Sequence, residues 1–432
     1  MADAAGDGQV EAEAQVPDDV VDEILIRLPS RSSLARAAAA CSAFRALVSS
    51  PRFLRRHRAR HGAGEPGALL GSFAFSSEGG VFHPAEPPHP AASAARAVAA
   101  AADFSFSFLP PSPVEDPRKG LGWIVRDHRD GRFLLDRVAS LDDNVFPELA
   151  VCDPLSRRYA VLPPIPEELR DAVDRPLGVI GGRRRCEPFL APCDADAADE
   201  EPAFAVIWTA RCPRKVVAFA FSSRDGGRWR ALPSPECFVW SRHRSPFGCP
   251  VHAVWNRRFY AHGCFYWLDC LAHRWLVLDT RAMELSLVQI PSPAGYWEEH
   301  VAVVEGEDGK VGVFAHDFYH PGGNACLYYY TVVFHGDGEG PRWQLERTVP
   351  LPWPAVHGRP YSIRAAVHGS LILEVNDSAP VFITSYRSRD VELYKIDVKS
   401  FKLELIGNAR CAAGDIAWAY FGFPPLLSLP TV

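Results

Sequence analysis

Residues 153–164 read DPLSRRYAVLPP, and this short stretch decides which fold we predict for the chain. Asp153-Pro154 and the residues after it favour a turn, and the apolar residues that follow favour a strand. Leu162-Pro163-Pro164 ends that strand, because proline has no N–H to donate to a sheet. The stretch therefore predicts a β-hairpin whose last strand leaves its sheet through a proline-rich exit.

Similar exits recur along the chain, with prolines at positions 163, 233, 291 and 352. They are about 60–70 residues apart, a spacing expected of propeller blades with long loops. A hairpin signal precedes each exit, and Asp130-Gly131 is a strong hairpin signal of the same kind. About two dozen candidate strands at four per blade predict a β-propeller of about six blades. The alternative is a large β-sandwich or two stacked sheets.

A helical pattern precedes this strand-rich region. Residues 16–51 read VPDDVVDEILIRLPSRSSLARAAAACSAFRALVSSP. Pro17 suits the first turn of a helix, and the two aspartates after it favour the positive end of the helix dipole. The apolar positions of three successive helical patterns are Val20, Val21, Ile24, Leu25, Leu28, Leu34, Phe44, Leu47 and Val48. Helices this short cannot bury their apolar faces alone, so they pack on the rest of the chain or on another protein.

The helical segment resembles an F-box. The residues that match the F-box pattern are Pro17, Asp19, Val20, Val21, Glu23, Ile24, Leu25, Arg27, Leu28, Pro29, Ser33, Leu34, Cys41, Ser50, Pro51 and Phe53. Val16 stands where leucine is usual, Phe44 where tryptophan is usual, and Ala39-Ala40 where larger residues are usual. Residues 69–432 resemble the F-box-associated or kelch-like propellers of plant F-box proteins, chiefly through the phrase at 153–164. The predicted fold is thus a short all-α F-box of about three helices followed by a large all-β propeller.

The resemblance implies a function and a partner. It implies the substrate-recognition subunit of an SCF-type (Skp–cullin–F-box) E3 ubiquitin ligase, which docks on a Skp-type adaptor and through it joins a cullin-RING ligase. The implied adaptor contacts are Pro17, Val20, Val21, Ile24, Leu25, Leu28, Pro29, Leu34 and Phe44. In this interpretation the chain is not an enzyme. One alternative is a carbohydrate- or small-ligand-binding propeller without a ubiquitin-ligase role, and another is a propeller enzyme.

The proline exits also predict where a protein substrate would bind. If each exit crosses to the next blade on one face, the loops after the exits share that face. Aromatic and basic residues on exposed loops are typical of binding hot spots. The candidate substrate contacts are Trp240, Arg242, Trp297, Trp353 and His357. The alternative is that these aromatic residues only cap the blades.

The expected organisation has four parts. Residues 1–15 are disordered, 16–61 form the F-box, 62–120 are a linker or insertion with the first strands, and 121–432 form the propeller. Within the third part, the alternation of Phe104, Phe106 and Phe108 with serines predicts a strand, and the alanine-rich run 91–102 predicts a helix or a surface insertion. We expect the C-terminal segment with Trp418 and Tyr420 to close the ring against the first blade.

Composition excludes several classes of function. The net charge of −6 indicates no nucleic-acid partner, and no apolar run is long enough to predict a membrane span. The polar N-terminus has no apolar leader, so we expect a cytoplasmic or nuclear location. The best metal-like spacing, Cys237, His243, Cys249 and His252, lacks paired ligands. We therefore predict no metal, no cofactor and no catalytic residue.

Overall fold

The computed structural model describes residues 16–28, 31–61, 68–76, 79–111, 122–137, 145–177, 185–192, 203–236, 257–269, 274–289, 301–316, 324–333, 342–354, 361–367, 369–375, 389–411 and 417–422. The helices among them are α1 (Asp18–Leu25), α2 (Arg31–Ala40), α3 (Ser42–Val48), α4 (Pro51–His61), α5 (Ala92–Ala101) and α6 (Glu167–Arg170). The predicted disorder of residues 1–15 concerns a segment outside the described residues.

Helices α1–α4 form a small helical segment with a core of its own. The buried apolar residues of this core are Leu25, Ile26, Leu34, Ala38, Val48 and Phe53. As predicted, α1 follows Pro17 and carries Asp18 and Asp19 in its first turn, where they favour the helix dipole. A fourth helix, α4, follows the three that the apolar pattern predicted. It belongs to the same segment, since its Phe53 adds a large side chain to the same core.

Most of the remaining described residues form six β-sheets, five with four strands and one with three. Blade 1 contains β3 (Ile124–Arg129), β4 (Arg132–Arg137), β5 (Glu148–Asp153) and β6 (Arg158–Val161). Blade 2 contains β7 (Glu187–Ala191), β8 (Ala205–Cys212), β9 (Lys215–Ser222) and β10 (Arg228–Ala231). Blade 3 contains β11 (Arg258–Ala261), β12 (Cys264–Asp269), β13 (Arg274–Asp279) and β14 (Glu284–Gln289). Blade 4 contains β15 (Val301–Glu305), β16 (Val311–His316), β17 (Asn324–Val333) and β18 (Arg342–Pro354). Blade 5 contains β19 (Tyr361–Val367), β20 (Ser370–Val375), β21 (Arg389–Asp397) and β22 (Leu403–Cys411). Blade 6 contains β1 (Ala68–Ser76), β2 (Gly79–Pro84) and β23 (Ala417–Gly422).

The six sheets are the blades of a β-propeller, because their innermost strands contact one another around a common centre. The innermost strands are β3, β7, β11, β15, β19 and β23. Blade 6 joins the two ends of the propeller, since β23 pairs with β1 and places Trp418 opposite Phe73. The predicted propeller of about six blades is confirmed, and so is the closure of the ring by the C-terminal segment.

The connections between blades follow from antiparallel pairing. Four antiparallel strands return the chain to the face of the ring at which the blade began. Thus β6 ends at Val161 on the same face as the beginning of β7 at Glu187; we name this side the crossing face. Leu162 and Leu232, which belong to two of the predicted exits, are buried directly after the outer strands of blades 1 and 2. Leu351, in a third exit, is buried inside β18, which continues to Pro354. Ile290, in the remaining exit, lies outside the described residues.

Local turn chemistry agrees with the predicted hairpin at 130–131. Asp130 and Gly131 join β3 to β4 and both have positive φ, at 52° and 82°. A two-residue hairpin turn of this type favours Asp-Gly, since glycine adopts positive φ without strain. The sequence signal therefore corresponds to a real hairpin in blade 1.

The predicted strand at Phe104–Phe108 is wrong. This segment forms turns, in which the Asp103 carboxylate accepts hydrogen bonds from the Ser105 N–H and from the hydroxyls of Ser105 and Ser107. Phe104 and Phe106 are nevertheless buried against blades 6 and 1. Successive tight turns bury every second side chain here. An alternation of apolar and polar residues in the sequence does not distinguish such turns from a strand. The alanine-rich run forms α5, which buries Ala92, Ala95 and Val98.

Candidate functional site

The most exposed apolar surface on the helical segment lies along α1. Val16, Val20 and Ile24 expose 57%, 44% and 58% of their surfaces. Val20 and Ile24 are four positions apart in α1, so they share one side of the helix. Together with Val16, which lies just before the helix, we call them the apolar stripe. Leu25 and Ile26 of the same region are buried in the helical core. The segment therefore has one apolar surface that it covers itself and one that it leaves to solvent.

Two of the predicted adaptor contacts lie inside the helical core. Leu25 is 4% exposed and Leu34 is fully buried, so neither side chain reaches the surface of the segment. Both hold the helices together, and an acidic residue at either position would place an unpaired charge in an apolar core. The prediction is therefore corrected for these two residues: they stabilise the helical core and are not adaptor contacts. For Leu25 the reason is that the apolar face of α1 is broad and only part of it faces outward.

The other predicted contacts divide between surface and core. Val20, Ile24 and Pro17 are exposed. Partly buried apolar residues packed on the core include Val21, Leu28 and Phe44. Pro29 lies outside the described residues. Val16, which the prediction did not include among the contacts, is exposed just before α1 and belongs to the apolar stripe.

Helix α4 holds α1 through polar contacts near the stripe. The Arg56 guanidinium donates to the Asp22 carboxylate through Nη1 and to Glu23 Oε1 through Nη2, at 2.6 Å for the latter. His57 Nε2 lies 2.8 Å from the carbonyl oxygen of Leu28, which accepts a hydrogen bond from it. The Asp22 and Glu23 carboxylates raise the pKa of Arg56 above its ordinary value. Two consecutive residues of α4 thus contact both the middle and the end of α1.

A second polar cluster, the central hub, occupies the middle of the propeller. It consists of Asp127, Glu187, Arg211, Arg258 and Trp267. Arg258 donates to Asp127 Oδ1 at 2.9 Å and to Glu187 Oε1 at 2.7 Å, while Arg211 donates to Glu187 Oε2 at 2.6 Å. Trp267 Nε1 donates to Glu187 Oε2 at 3.2 Å. The hub joins blades 1, 2 and 3, and sequence motifs did not predict it because its members are far apart in the chain.

The ionisation of Glu187 shows what the central hub can do chemically. Burial is the largest influence on this carboxyl group and by itself raises the pKa. The nearby Arg211 and Arg258 charges, with hydrogen bonds from Arg211 and Trp267, outweigh burial and lower the pKa of Glu187 below its ordinary value. The carboxylate therefore stays ionised near neutral pH. This state suits a brace between blades and does not suit a proton donor.

Arginines from two blades also cross the centre of the ring. Arg257 donates to the carbonyl oxygens of Val301 and Ile363, at 3.4 Å and 2.9 Å, in blades 4 and 5. Arg129, at the end of β3, lies 4.4 Å above the ring of Tyr260 in β11. Arginine side chains therefore fill part of the space between the innermost strands.

Of the candidate substrate contacts, only Trp353 lies within the described residues. Its indole is half-buried at the end of β18, with ring centroids 6.0 Å from Tyr361 and 4.8 Å from Tyr394. Trp353 thus packs between blades 4 and 5 at the crossing face. The other four candidates, Trp240, Arg242, Trp297 and His357, lie outside the described residues, and their role in substrate binding stays a prediction.

Neither a metal site nor a membrane-spanning helix is present in the described part of the chain. There, no group of three or more histidine, cysteine, aspartate or glutamate side chains is arranged to hold a metal ion. The candidate ligands Cys237, His243, Cys249 and His252 lie outside that part. In the same part, none of the helices has the length and apolar character needed to cross a membrane.

Comparison with known proteins finds similarity of fold alone. No family model matches the chain, and no curated protein matches it. The β-propeller domain of the Trilobed protease from Pyrococcus furiosus is 8% identical, with a TM-score of 0.31 over 67% of this chain and 70% of that one. An α-L-arabinofuranosidase from Fusarium graminearum is 13% identical, with a TM-score of 0.34 over 72% and 84%. An α-L-arabinanase from Penicillium chrysogenum, complexed with arabinobiose, is 10% identical, with a TM-score of 0.30 over 69% and 95%.

These structures bear on one prediction. The prediction that the chain is not an enzyme is contradicted, because glycoside hydrolases are among the solved structures that resemble it. At 8–13% identity the likeness carries no substrate over to this chain.

Proposed function

We propose that the chain is a substrate-recognition subunit of an SCF-type ubiquitin ligase, with its helical segment docked on a Skp-type adaptor. The observation that carries the proposal is the apolar stripe of Val16, Val20 and Ile24. The F-box resemblance covers the same residues, and a helix laid in an apolar groove is a common mode of protein recognition. The propeller would then bind the protein substrate.

The energetics favour a partner for the stripe. Large apolar side chains in a line are unusual on a free surface, and they mark interaction sites more often than scattered ones do. Burying the three side chains would contribute about 3–5 kcal/mol of transfer free energy, before the cost of association. That amount supports specific docking when further contacts around the stripe add to it.

A binding measurement with a purified Skp-type adaptor tests the proposal. The full chain is compared with a Val20→Asp and Ile24→Asp double variant, whose charges stay solvated in the free protein and oppose burial in an apolar groove. Leu405→Asp is the matched control, since Leu405 is 41% exposed on the propeller. We expect the double variant to lose binding while the control retains it, with unchanged circular dichroism for both. Binding by the double variant equal to that of the unaltered chain would reject the stripe as the docking surface.

A carbohydrate- or small-ligand-binding propeller is the second candidate function. The observation that favours it is the half-buried indole of Trp353 beside Tyr361 at the crossing face. Aromatic faces with a few polar groups nearby are typical of ligand sites, and an indole suits stacking on a sugar ring.

Arabinobiose, the ligand in the Penicillium chrysogenum structure, is a suitable first probe for that candidate. A ligand that binds the folded state raises the melting temperature in a saturable way. We expect this rise for the unaltered chain and its loss in Trp353→Ala, if the second candidate is correct. No shift at millimolar arabinobiose, or an equal shift in both proteins, would count against a sugar site at Trp353.

A further inference from the structure

We infer that Arg56 is a positioning residue for adaptor docking: its paired contacts with Asp22 and Glu23 set the orientation of α1 and hence of the apolar stripe. This inference rests on the proposed function and adds a residue that does not itself belong to the docking surface. It assigns a role to a contact between α1 and α4 in which Arg56 binds residues 34 and 33 positions before it in the chain.

Helix α1 needs tertiary contacts to keep one orientation. It contains 8 residues, whereas isolated helices shorter than about 12–15 residues are marginal in water. Leu25 and Ile26 attach it to the core, but both lie at its C-terminal end. Val21 packs only in part on that core, so the N-terminal half of α1, which carries Val20, depends on further contacts along the helix.

Arg56 supplies such contacts at the middle of the helix. Its two Nη groups reach carboxylates on successive residues, Asp22 and Glu23, which point in directions about 100° apart around the helix axis. A planar guanidinium that binds two such groups restricts rotation of α1 about its axis as well as its distance from α4. Glu23 is one residue before Ile24, so this restriction acts beside the stripe.

His57 fixes the other end of the same helix. Its Nε2 donates to the carbonyl oxygen of Leu28 at 2.8 Å, and the imidazole is buried against Phe53, with ring centroids 6.2 Å apart. Leu28 lies just after the turn that follows α1, so this hydrogen bond anchors the chain directly beyond the end of the helix. Arg56 and His57, both on α4, thus hold α1 at two points. A change at Arg56 therefore alters the orientation of α1 without removing α1 from the core.

The test uses the full chain and a purified Skp-type adaptor. Arg56→Met removes the charge and keeps most of the apolar stem, while Asp22→Asn with Glu23→Gln removes both partners. Each change is expected to weaken adaptor binding about two- to fivefold, as for other partly exposed ion pairs. Combining all three changes should weaken binding no further than either alone, since they remove one interaction. Arg52→Met, at an exposed arginine one turn earlier on α4, is the matched control and should bind as the unaltered chain does.

Two readouts separate positioning from a general loss of structure. The charge-reversed combination of Arg56→Glu, Asp22→Arg and Glu23→Arg should restore most of the affinity that Arg56→Glu alone removes. The affinity of the unaltered chain should fall as salt is raised from low to moderate concentration, because salt screens partly exposed pairs, and Arg56→Met should reduce that dependence. A variant whose helical segment had unfolded would not regain adaptor affinity through the charge-reversed combination.

The outcomes distinguish this inference from the function on which it rests. If the unaltered chain does not bind the adaptor, the proposed function fails and the inference fails with it. If the unaltered chain binds, the double variant at Val20 and Ile24 does not, and Arg56→Met binds with full affinity, the inference alone is overturned. Failure of the charge-reversed combination to recover affinity, with Arg56→Glu weakened, overturns it as well.

Discussion

Arg258 Nη2 lies 2.9 Å from Asp127 Oδ1, although 131 positions separate the two residues in the chain. The pair joins the innermost strand of blade 3 to that of blade 1 across the centre of the propeller. The same guanidinium binds Glu187 in blade 2 and lies 4.1 Å above the ring of Phe189. One side chain therefore connects blades 1, 2 and 3.

Removing this connection should destabilise the propeller. Arg258→Met leaves Asp127 without the guanidinium and Glu187 with one fewer, in a site that water reaches poorly. We expect the free energy of unfolding to fall by about 2–4 kcal/mol, since breaking a buried pair exposes the desolvation cost of its partner. Urea denaturation followed by tryptophan fluorescence measures the change. Arg230→Met, at an exposed site on β10, is the control. A loss at Arg258 no larger than at Arg230 would mean that the hub contributes nothing to stability.

Glu187 gives the hub a dependence on pH. Its folded pKa is lower than its ordinary value, so its contribution to stability is complete above the unfolded pKa of about 4.3. That contribution is lost as the pH falls through the folded pKa, because the unfolded state then binds more protons. We expect Glu187→Gln to be less stable than the unaltered chain at pH 7 and to lose less stability on acidification. Denaturation curves between pH 7 and pH 3, with Glu284→Gln as an exposed control, test this. Parallel pH profiles for Glu187→Gln and the unaltered chain would refute it.

Ring closure depends on the aromatic residues around Tyr420. The Tyr420 ring is 3% exposed, and its centroid lies 5.4 Å from that of Phe104 and 5.9 Å from that of Phe133. Tyr420→Ala should lower the free energy of unfolding by about 3 kcal/mol, as expected for truncation of a buried aromatic ring. Tyr159→Ala, where the ring is 42% exposed, should lower it by much less. Equal effects in thermal unfolding would show that the contact between the two chain ends does not limit stability.

Gly71 is required where β1 approaches the end of β2. Its φ is +149°, and a Cβ atom at this position would lie 2.1 Å from the carbonyl oxygen of His83. The backbone cannot absorb that overlap without breaking the pairing of β1 with β2. We expect Gly71→Ala to destabilise the propeller by at least about 2 kcal/mol. Gly122→Ala, where an added Cβ has no neighbour within 4 Å, is the control for the general effect of replacing glycine. Similar melting temperatures for the two variants would contradict this account.

The candidate site could be predicted in part. The spacing of apolar residues placed a helix over α1 and identified its apolar face. It could not separate Ile24, which is exposed, from Leu25, which is buried, because adjacent residues differ by about 100° around a helix and both belong to a broad apolar face. Only packing in the helical core, where α1 contacts α3, decides which edge of that face is covered. The contact between Arg56 and Asp22 was likewise invisible, since no sequence rule relates side chains 34 positions apart.

The sequence by itself determined the strand-rich character of the chain, the hairpins, the proline exits and hence a propeller of about six blades. These features are local, because turn residues and proline act on the backbone within a few positions. The tertiary structure alone decided that Phe104 and Phe106 enter the core from turns. It also decided that Arg258 holds three blades together. Each of these depends on which distant segments meet, and the free energy of such contacts exists only after the ring has formed.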